Sequence, residues 1–289
     1  MHDYSIILHA ATDADGVAPF SEAFEQALSD ATLNHSLLTI PSTDVPGGLA
    51  GLASIAPDGS AELVVHPEVR RRGIGAELAR RVLEQRPDAG LWAHGNLPGA
   101  RALAESLGLE STRELLVMAC EGDHLRDAAQ LTLPDGYQAR TLASAKAAGE
   151  QDALEREWLR VNNEAFSWHP EQGGWDLERL HRAMRVEWFD PEGVWFLSCG
   201  DELAGFSWTK VHPDGTGEVY VVGLANDYRG RGLGAPLMQL ALSHLVGEGK
   251  DRVILYVEAD NAPAVARYEG LGFAVAERHV VYGGASESA

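Results

Sequence analysis

Val221-Val222-Gly223-Leu224-Ala225-Asn226-Asp227-Tyr228-Arg229-Gly230-Arg231-Gly232-Leu233-Gly234-Ala235 reads as a β-strand, a glycine-rich turn and the entrance to an apolar helix. Glycines let a backbone approach a ligand closely, and N–H groups converge where a helix begins. Such a turn is built for a phosphate. Arg229 and Arg231 add charge-assisted donors. For a single copy a plain β–α turn is the better account. The pattern, however, occurs twice.

The earlier copy is Leu63-Val64-Val65, then Arg70-Arg71-Arg72-Gly73-Ile74-Gly75-Ala76. Gly73 and Gly232 are 159 residues apart, as are Gly75 and Gly234. Further on, Asn96-Leu97-Pro98 repeats as Asn261-Ala262-Pro263, and Leu107-Gly108-Leu109 as Leu271-Gly272-Phe273. Two copies are too few for a solenoid and point to a duplicated domain. The domains expected are 1–125 and 135–289, joined by the polar stretch Glu121–Gly136 with its Pro134-Asp135-Gly136 turn. The chain's 289 residues suit two domains of roughly 100–150 residues each.

Both copies alternate β and α patterns, which predicts an α/β fold with a mixed sheet in each half. In the second, strands are expected at 137–142, 194–198, 204–210, 218–224, 252–258 and 273–282. Helices are expected at 147–164, 176–188 and 233–246, with a short one from Pro263. The first copy follows the same order: a strand at 4–9, a helix at 17–28, strands at 36–40, 49–55 and 61–66, a helix at 74–85, a strand at 90–93, a helix at 98–107 and a strand at 113–119.

A net charge of −20 makes nucleic acid and anionic membranes poor partners, while the local arginine clusters still allow an anionic small molecule. No apolar run approaches the roughly 20 residues of a membrane span, and Met1-His2-Asp3-Tyr4 lacks a signal-peptide pattern, so a cytoplasmic protein is expected. Cys120 and Cys199 imply neither a disulfide framework nor a zinc ribbon. The histidines lack ligand spacing, so no metal is expected. A monomer is the expected oligomeric state. Gly230-x-Gly232-x-x-Ala235 also fits a dinucleotide fingerprint, with Glu258 as the ribose acid. That reading fails because five residues, Ala225–Arg229, separate the strand from its first glycine, and the first copy has Arg71 at that position.

Strand, R-x-x-G-x-G loop, helix, strand, Asn-x-Pro helix, tyrosine and Leu-Gly-Phe together resemble the GNAT acyltransferase superfamily, in both halves. The resemblance implies that the loop holds the pyrophosphate of acetyl-CoA and that splayed strands admit its pantetheine arm. The stretches 169–175, 208–214, 217–223 and 255–261, with Asp15-Gly-Val-Ala-Pro19, are similar to one branch of that superfamily. That branch acetylates the cysteinyl amine of a cysteine–glucosamine–inositol conjugate. Acetyl-CoA contacts are then implied at Leu63, Val64, Val65, Arg71, Arg72, Gly73, Ile74, Gly75 and Ala76. In the second copy they are implied at Val222, Gly223, Leu224, Arg229, Gly230, Arg231, Gly232, Leu233, Gly234, Ala235, Asn261, Ala262, Pro263, Ala264, Val265 and Ala266. Acceptor contacts are implied at Glu22, Glu171, Lys210, Glu218 and Tyr256, in a site between the domains.

Acetyl transfer to an amine needs a neutral nucleophile and a proton for the departing thiolate. Glu218, which opens the strand into the second loop, is the candidate base; Tyr268, after Asn261-Ala-Pro263, is the candidate acid. A strand-end surface carboxylate and a packing tyrosine are the structural alternatives. By plain offset Glu218 maps to Gly59 and Tyr268 to Ala104, so the first domain is expected not to be catalytic, with Glu62 nearby as the one ambiguity of register. Six of the seven tryptophans lie between Trp158 and Trp208; most suit a core, and Trp168 or Trp175 could offer a face to a sugar. Two rival functions are an N-acetyltransferase for another amine or a peptide N-terminus, and a non-catalytic acetyl-CoA sensor. The second is disfavoured by the joint presence of Glu218 and Tyr268.

Overall fold

The computed structural model describes residues 3–167 and 172–284. Its elements in chain order are α1 (Ser5–Asp15), α2 (Glu22–Ala27), β1 (Ser36–Pro41), β2 (Leu49–Ile55), β3 (Ser60–Val65), α3 (Ile74–Gln85), β4 (Gly90–Ala93), α4 (Pro98–Ser106), β5 (Glu110–Glu121) and α5 (Gly122–Ala128). There follow β6 (Tyr137–Thr141), α6 (Leu142–Ala147), α7 (Gln151–Ala165), α8 (Leu177–Ala183), β7 (Val194–Cys199), β8 (Glu202–Val211), β9 (Gly217–Leu224), α9 (Gly234–Gly247), β10 (Arg252–Glu258), α10 (Ala262–Gly270) and β11 (Ala274–Gly283).

The chain forms two compact units that are not contiguous stretches of sequence. The first comprises residues 1–116, 258–261 and 277–289; the second comprises 117–257 and 262–276. In the first unit the strands run β1-β2-β3-β4-β11. β1, β2 and β3 are antiparallel, β4 runs parallel to β3, and β11 closes against β4 through Val280↔Ala93, Val281↔Trp92 and Tyr282↔Leu91. Mixed α/β architecture is thus present in both halves, but the last strand of the sequence serves the first unit.

In the second unit the order is β5-β10-β9-β8-β7-β6. One side of this sheet carries α7, whose Trp158 meets Phe196, Phe206 and Trp208 edge-on at centroid distances of 5.5, 5.7 and 5.4 Å. Such edge-to-face packing adds roughly 0.5–1.5 kcal/mol per pair beyond area burial. The core role expected for most of the tryptophans therefore holds for Trp158 and Trp208, each 1% exposed. Helix α9 buries Leu237, Met238, Leu240, Ala241, Leu242 and Leu245, so it is apolar nearly all round, as a covered helix must be.

Several sequence expectations are corrected. Residues 4–9 are not a strand but the start of α1, which buries Ile7, Leu8 and Ala11 at helical spacing; the run Ile6-Ile7-Leu8 is too short to fix a period. The expected helix at 17–28 shrinks to α2, because Gly16 adopts φ 70° and Pro19 follows it. The helix at 147–164 is two, α6 and α7, interrupted at Gly149 (φ 76°). The helix at 176–188 ends at Ala183, with Asp176 accepting Arg179 N–H as its cap. The linker contains α5, whose Leu125 is 1% exposed. Among the described residues no helix is long and apolar enough to cross a membrane.

Candidate active site

Parallel strands β9 and β10 pair through Val253↔Gly217 and Ile254↔Glu218. Both then continue, β9 to Leu224 and β10 to Glu258, outside that ladder. The opening begins at Glu218, whose side chain is buried, and directly opposite it on β8 stands Lys210. Tyr220 is an extra residue in β9, since Trp208 pairs with Val221 and Thr209 with Val219. A bulge of this kind bends its strand and re-aims side chains, and bulges concentrate near active sites. Tyr220 packs edge-on against Trp188 and Trp208 at 5.0 and 5.3 Å, and Lys210 Nζ lies 4.8 Å from the Trp188 ring centre.

Val222, Gly223 and Leu224 occupy the β9 edge beyond the ladder; Leu63, Val64 and Val65 do the same on β3, past its last β4 pair, Glu62↔Trp92. The glycine loop follows. Gly230 and Gly232 adopt φ 74° and 78°, a region where a side chain is strained. In the first unit Gly73 has φ 86°, and Arg71, in Gly230's place, holds φ 62° at a cost of roughly 1–2 kcal/mol. Past each loop the first N–H groups of the helix have no intrahelical acceptor. Those of Gly234 and Ala235 begin α9, and those of Ile74, Gly75 and Ala76 begin α3.

The leading arginine of each loop does something the sequence did not suggest. Arg229 donates to the carbonyls of Glu164 and Ala165, at the end of α7, at 3.2 and 3.3 Å. Its counterpart Arg70 makes a two-pronged ion pair with Asp15, the last residue of α1, at 2.7 Å. Both brace the loop against a helix C-terminus, and for Arg229 that brace is made through Nη2. Arg231 is exposed with its guanidinium 4.8 Å from the Tyr228 ring centre, and Arg72 is exposed 3.8 Å from Asp44. A cation that the sequence reading missed is Arg267 on α10, whose Nη1 would lie 3.0 Å from a Cβ placed on Gly234.

Tyr268 sits on α10, half-buried, with its ring 6.2 Å from Phe273. Burial holds its phenol above the ordinary tyrosine value, with Arg267 opposing, so at neutral pH the group carries its proton. Its carbonyl accepts from Leu271 and Phe273 N–H, both at 3.0 Å; the carbonyl of Ala104 accepts from Leu107 and Leu109 at 3.1 and 3.0 Å. The identical pattern makes Ala104 the positional match of Tyr268. Asn261, Ala262 and Pro263 are exposed at the entrance to α10, with Ala264, Val265 and Ala266 following on it.

The register ambiguity also resolves. In the first unit Ala56 N–H bonds Ser60 O, and Ser54 pairs with Glu62. Counting from Gly51↔Val65 as from Gly205↔Leu224, and allowing for the bulge, Ala56 matches Lys210 and Ser60 matches Glu218. Plain offset, which lacks the bulge, was one residue off in choosing Gly59. Glu62 matches Val221 and is no free base: one oxygen accepts Ser21 N–H at 2.8 Å and the other meets His94 Nε2 at 2.9 Å. His94 Nδ1 in turn lies 3.0 Å from Nδ1 of His279 on β11, which burial, aided by His94, pushes down to about 4.

Of the other expected contacts, Glu22 is exposed in the first turn of α2 in the first unit, and Tyr256 is exposed on β10 in the second. Glu171 and Trp168 lie outside the described residues. Trp175 has a ring face covered by Arg179, 5.2 Å from the ring centre. Among the described residues no group of three His, Cys, Asp or Glu side chains is placed to hold a metal ion.

The sequence profile of the Acetyltransferase (GNAT) family matches residues 5–109 and 156–273. The chain is 54% identical to the mycothiol acetyltransferase of Corynebacterium efficiens, covering 96% of this chain and 90% of that one. It is 49% identical to the mycothiol acetyltransferase of Corynebacterium diphtheriae, covering 98% and 93%. Among solved structures, it is similar to a GCN5-related N-acetyltransferase from Sphaerobacter thermophilus, with TM-score 0.70 and 24% identity over 96% of this chain and 89% of that one. It is also similar to a tandem GNAT protein from the clavulanic acid biosynthesis pathway, with TM-score 0.67 and 21% identity over 97% and 94%. At these identities the structural likeness speaks for the fold.

Proposed function

Since the chain belongs to the mycothiol acetyltransferases, acetyl-CoA-dependent N-acetyltransferases of the GNAT family, we propose that it acetylates the cysteinyl amino group of cysteinyl-glucosaminyl-inositol, giving mycothiol and CoA. The observation that carries this reading is asymmetry between the two units. Glu218, Lys210 and Tyr268 stand around the β9–β10 opening or on the helix after it, whereas their first-unit matches are Ser60, Ala56 and Ala104. Turnover belongs to the second unit.

Acetyl-CoA fits the second loop: a left-handed glycine pair, the α9 N-terminus, and the cations Arg231 and Arg267 suit a pyrophosphate. The open β9 edge offers backbone groups to an extended amide arm. Glu218 takes the proton of the attacking amine, directly or through a water, and Tyr268 gives its proton to the departing sulfur. Lys210, Tyr256, Glu22 and Glu171 supply donors and acceptors matched to the hydroxyls of the glucosamine and inositol rings. The protein acts in the cytoplasm on a small molecule.

Incubation with acetyl-CoA and a panel of amines tests the acceptor, with release of CoA thiol as the readout. Cysteinyl-glucosaminyl-inositol should far exceed lysine, a peptide N-terminus and an aminoglycoside; equal rates across the panel would sink the assignment. A second expectation concerns the loops. A Cβ at Gly234 meets only the flexible end of Arg267, so Gly234→Val should fold yet bind acetyl-CoA about tenfold or more weakly, a difference of about 1.4 kcal/mol. Gly75→Val, whose Cβ would lie 3.6 Å from Leu103 and Val65, should leave turnover essentially unchanged. Equal loss in both folded variants argues against a single working site.

A further inference from the structure

The turn between β8 and β9 brings an imidazole onto Glu218. This turn is closed without that ring: His212 N–H donates to Thr216 O at 2.9 Å and Gly215 N–H to His212 O at 2.9 Å, with Gly215 at φ 88°. Asp214 adds its own clasp, accepting the Thr216 N–H at 2.9 Å and the Thr216 hydroxyl at 3.1 Å. The His212 side chain is therefore not needed to make the turn. It reaches instead to Glu218, with Nε2 at 2.7 Å from Oε2.

The exposure of the two side chains differs: 6% for Glu218 and 24% for His212. A carboxylate so nearly withdrawn from water needs a donor, and an ionised carboxylate only accepts, so Nε2 carries the hydrogen of this bond. The bond occupies one oxygen and leaves the other as the acceptor for a proton. It also fixes the carboxylate at the last rung of the β9–β10 ladder, where the strands part. A base must lie within hydrogen-bond reach of the proton it removes, and an error near 1 Å can cost about 10²-fold in rate.

We infer that His212 is a positioning residue for acetyl transfer, holding Glu218 by Oε2 so that Oε1 faces the acceptor amine. This rests on Glu218 being the base, and a double-mutant cycle separates the two ideas. Steady-state rates with acetyl-CoA and the cysteinyl acceptor would be measured for the wild type, His212→Phe, Glu218→Gln and the double variant. Circular dichroism and acetyl-CoA affinity would confirm that each is folded. His212→Phe should lower kcat about 10–100-fold in the wild-type background and by less than about threefold once Glu218 is glutamine, because residues acting as a unit are not additive. His212→Gln keeps an N–H donor at a similar reach and should recover at least about tenfold over phenylalanine. The inference is overturned if His212→Phe leaves kcat unchanged, or lowers it by the same factor in both backgrounds. If Glu218→Gln is itself as active as the wild type, the base assignment fails first, and visibly so.

Discussion

Tyr268→Phe is expected to lower kcat about 10²–10⁴-fold, the range typical of a lost general acid, with little change in acetyl-CoA affinity. The substitution keeps the ring and its packing on Phe273, 6.2 Å away, and removes only the hydroxyl. A departing thiolate needs a proton at the moment the C–S bond breaks. Burial keeps the Tyr268 phenol protonated past the ordinary value of 10.0, so the uncharged O–H donor is in place throughout the neutral range. The sign follows: a group with a raised value keeps its proton below 10.0 and loses it only as pH climbs through the raised one. Wild-type turnover should therefore show no alkaline decline from this residue until beyond pH 10, and the variant should lack that limb. A loss smaller than threefold would assign Tyr268 to packing.

Glu218→Gln should depress turnover about 10²-fold near pH 7 and progressively less toward pH 9. A cysteinyl α-amine has a pKa of about 7.7–8.0, against about 10.4 for a lysine side chain. At pH 7 an appreciable minority of the former is already neutral, so a carboxylate suffices as its base. By pH 9 the solvent has deprotonated nearly all of it. Rate profiles of the wild type and the variant with the cysteinyl acceptor decide the matter. A defect of the same size at both pH values would make Glu218 a binding residue.

Legibility in the sequence followed the locality of each interaction. Gly73, Gly75, Gly232 and Gly234 declare the loop because their conformations need glycine or close approach within a few residues. Tyr268 could be matched to Ala104 because Leu271-Gly272-Phe273 repeats Leu107-Gly108-Leu109 at fixed distance. The bulge at Tyr220 left no mark in composition, and it moved the match of Glu218 by one residue. The brace that Arg229 makes to the end of α7 stays hidden until α7 is placed, because its partners lie 65 and 64 residues earlier. His212 was within reach of inference: Pro213-Asp214-Gly215 is a turn signal between two strands, and such a turn sets the residues on either side of it against each other. The helical start of the chain was not, since three apolar residues carry no period.

The strand that closes the first unit has a consequence for biosynthesis. β11 pairs with β4, and the His94–His279 contact spans 185 residues of sequence. A ribosome adding roughly 5–20 residues per second finishes the glycine loop, α3 and β4 well before it makes β11. During that interval the free edge of β4 exposes unpaired N–H and C=O groups, a template for pairing with another nascent chain. The first half to be translated is thus the last to be completed, and loss of residues 277–283 would injure the half encoded first.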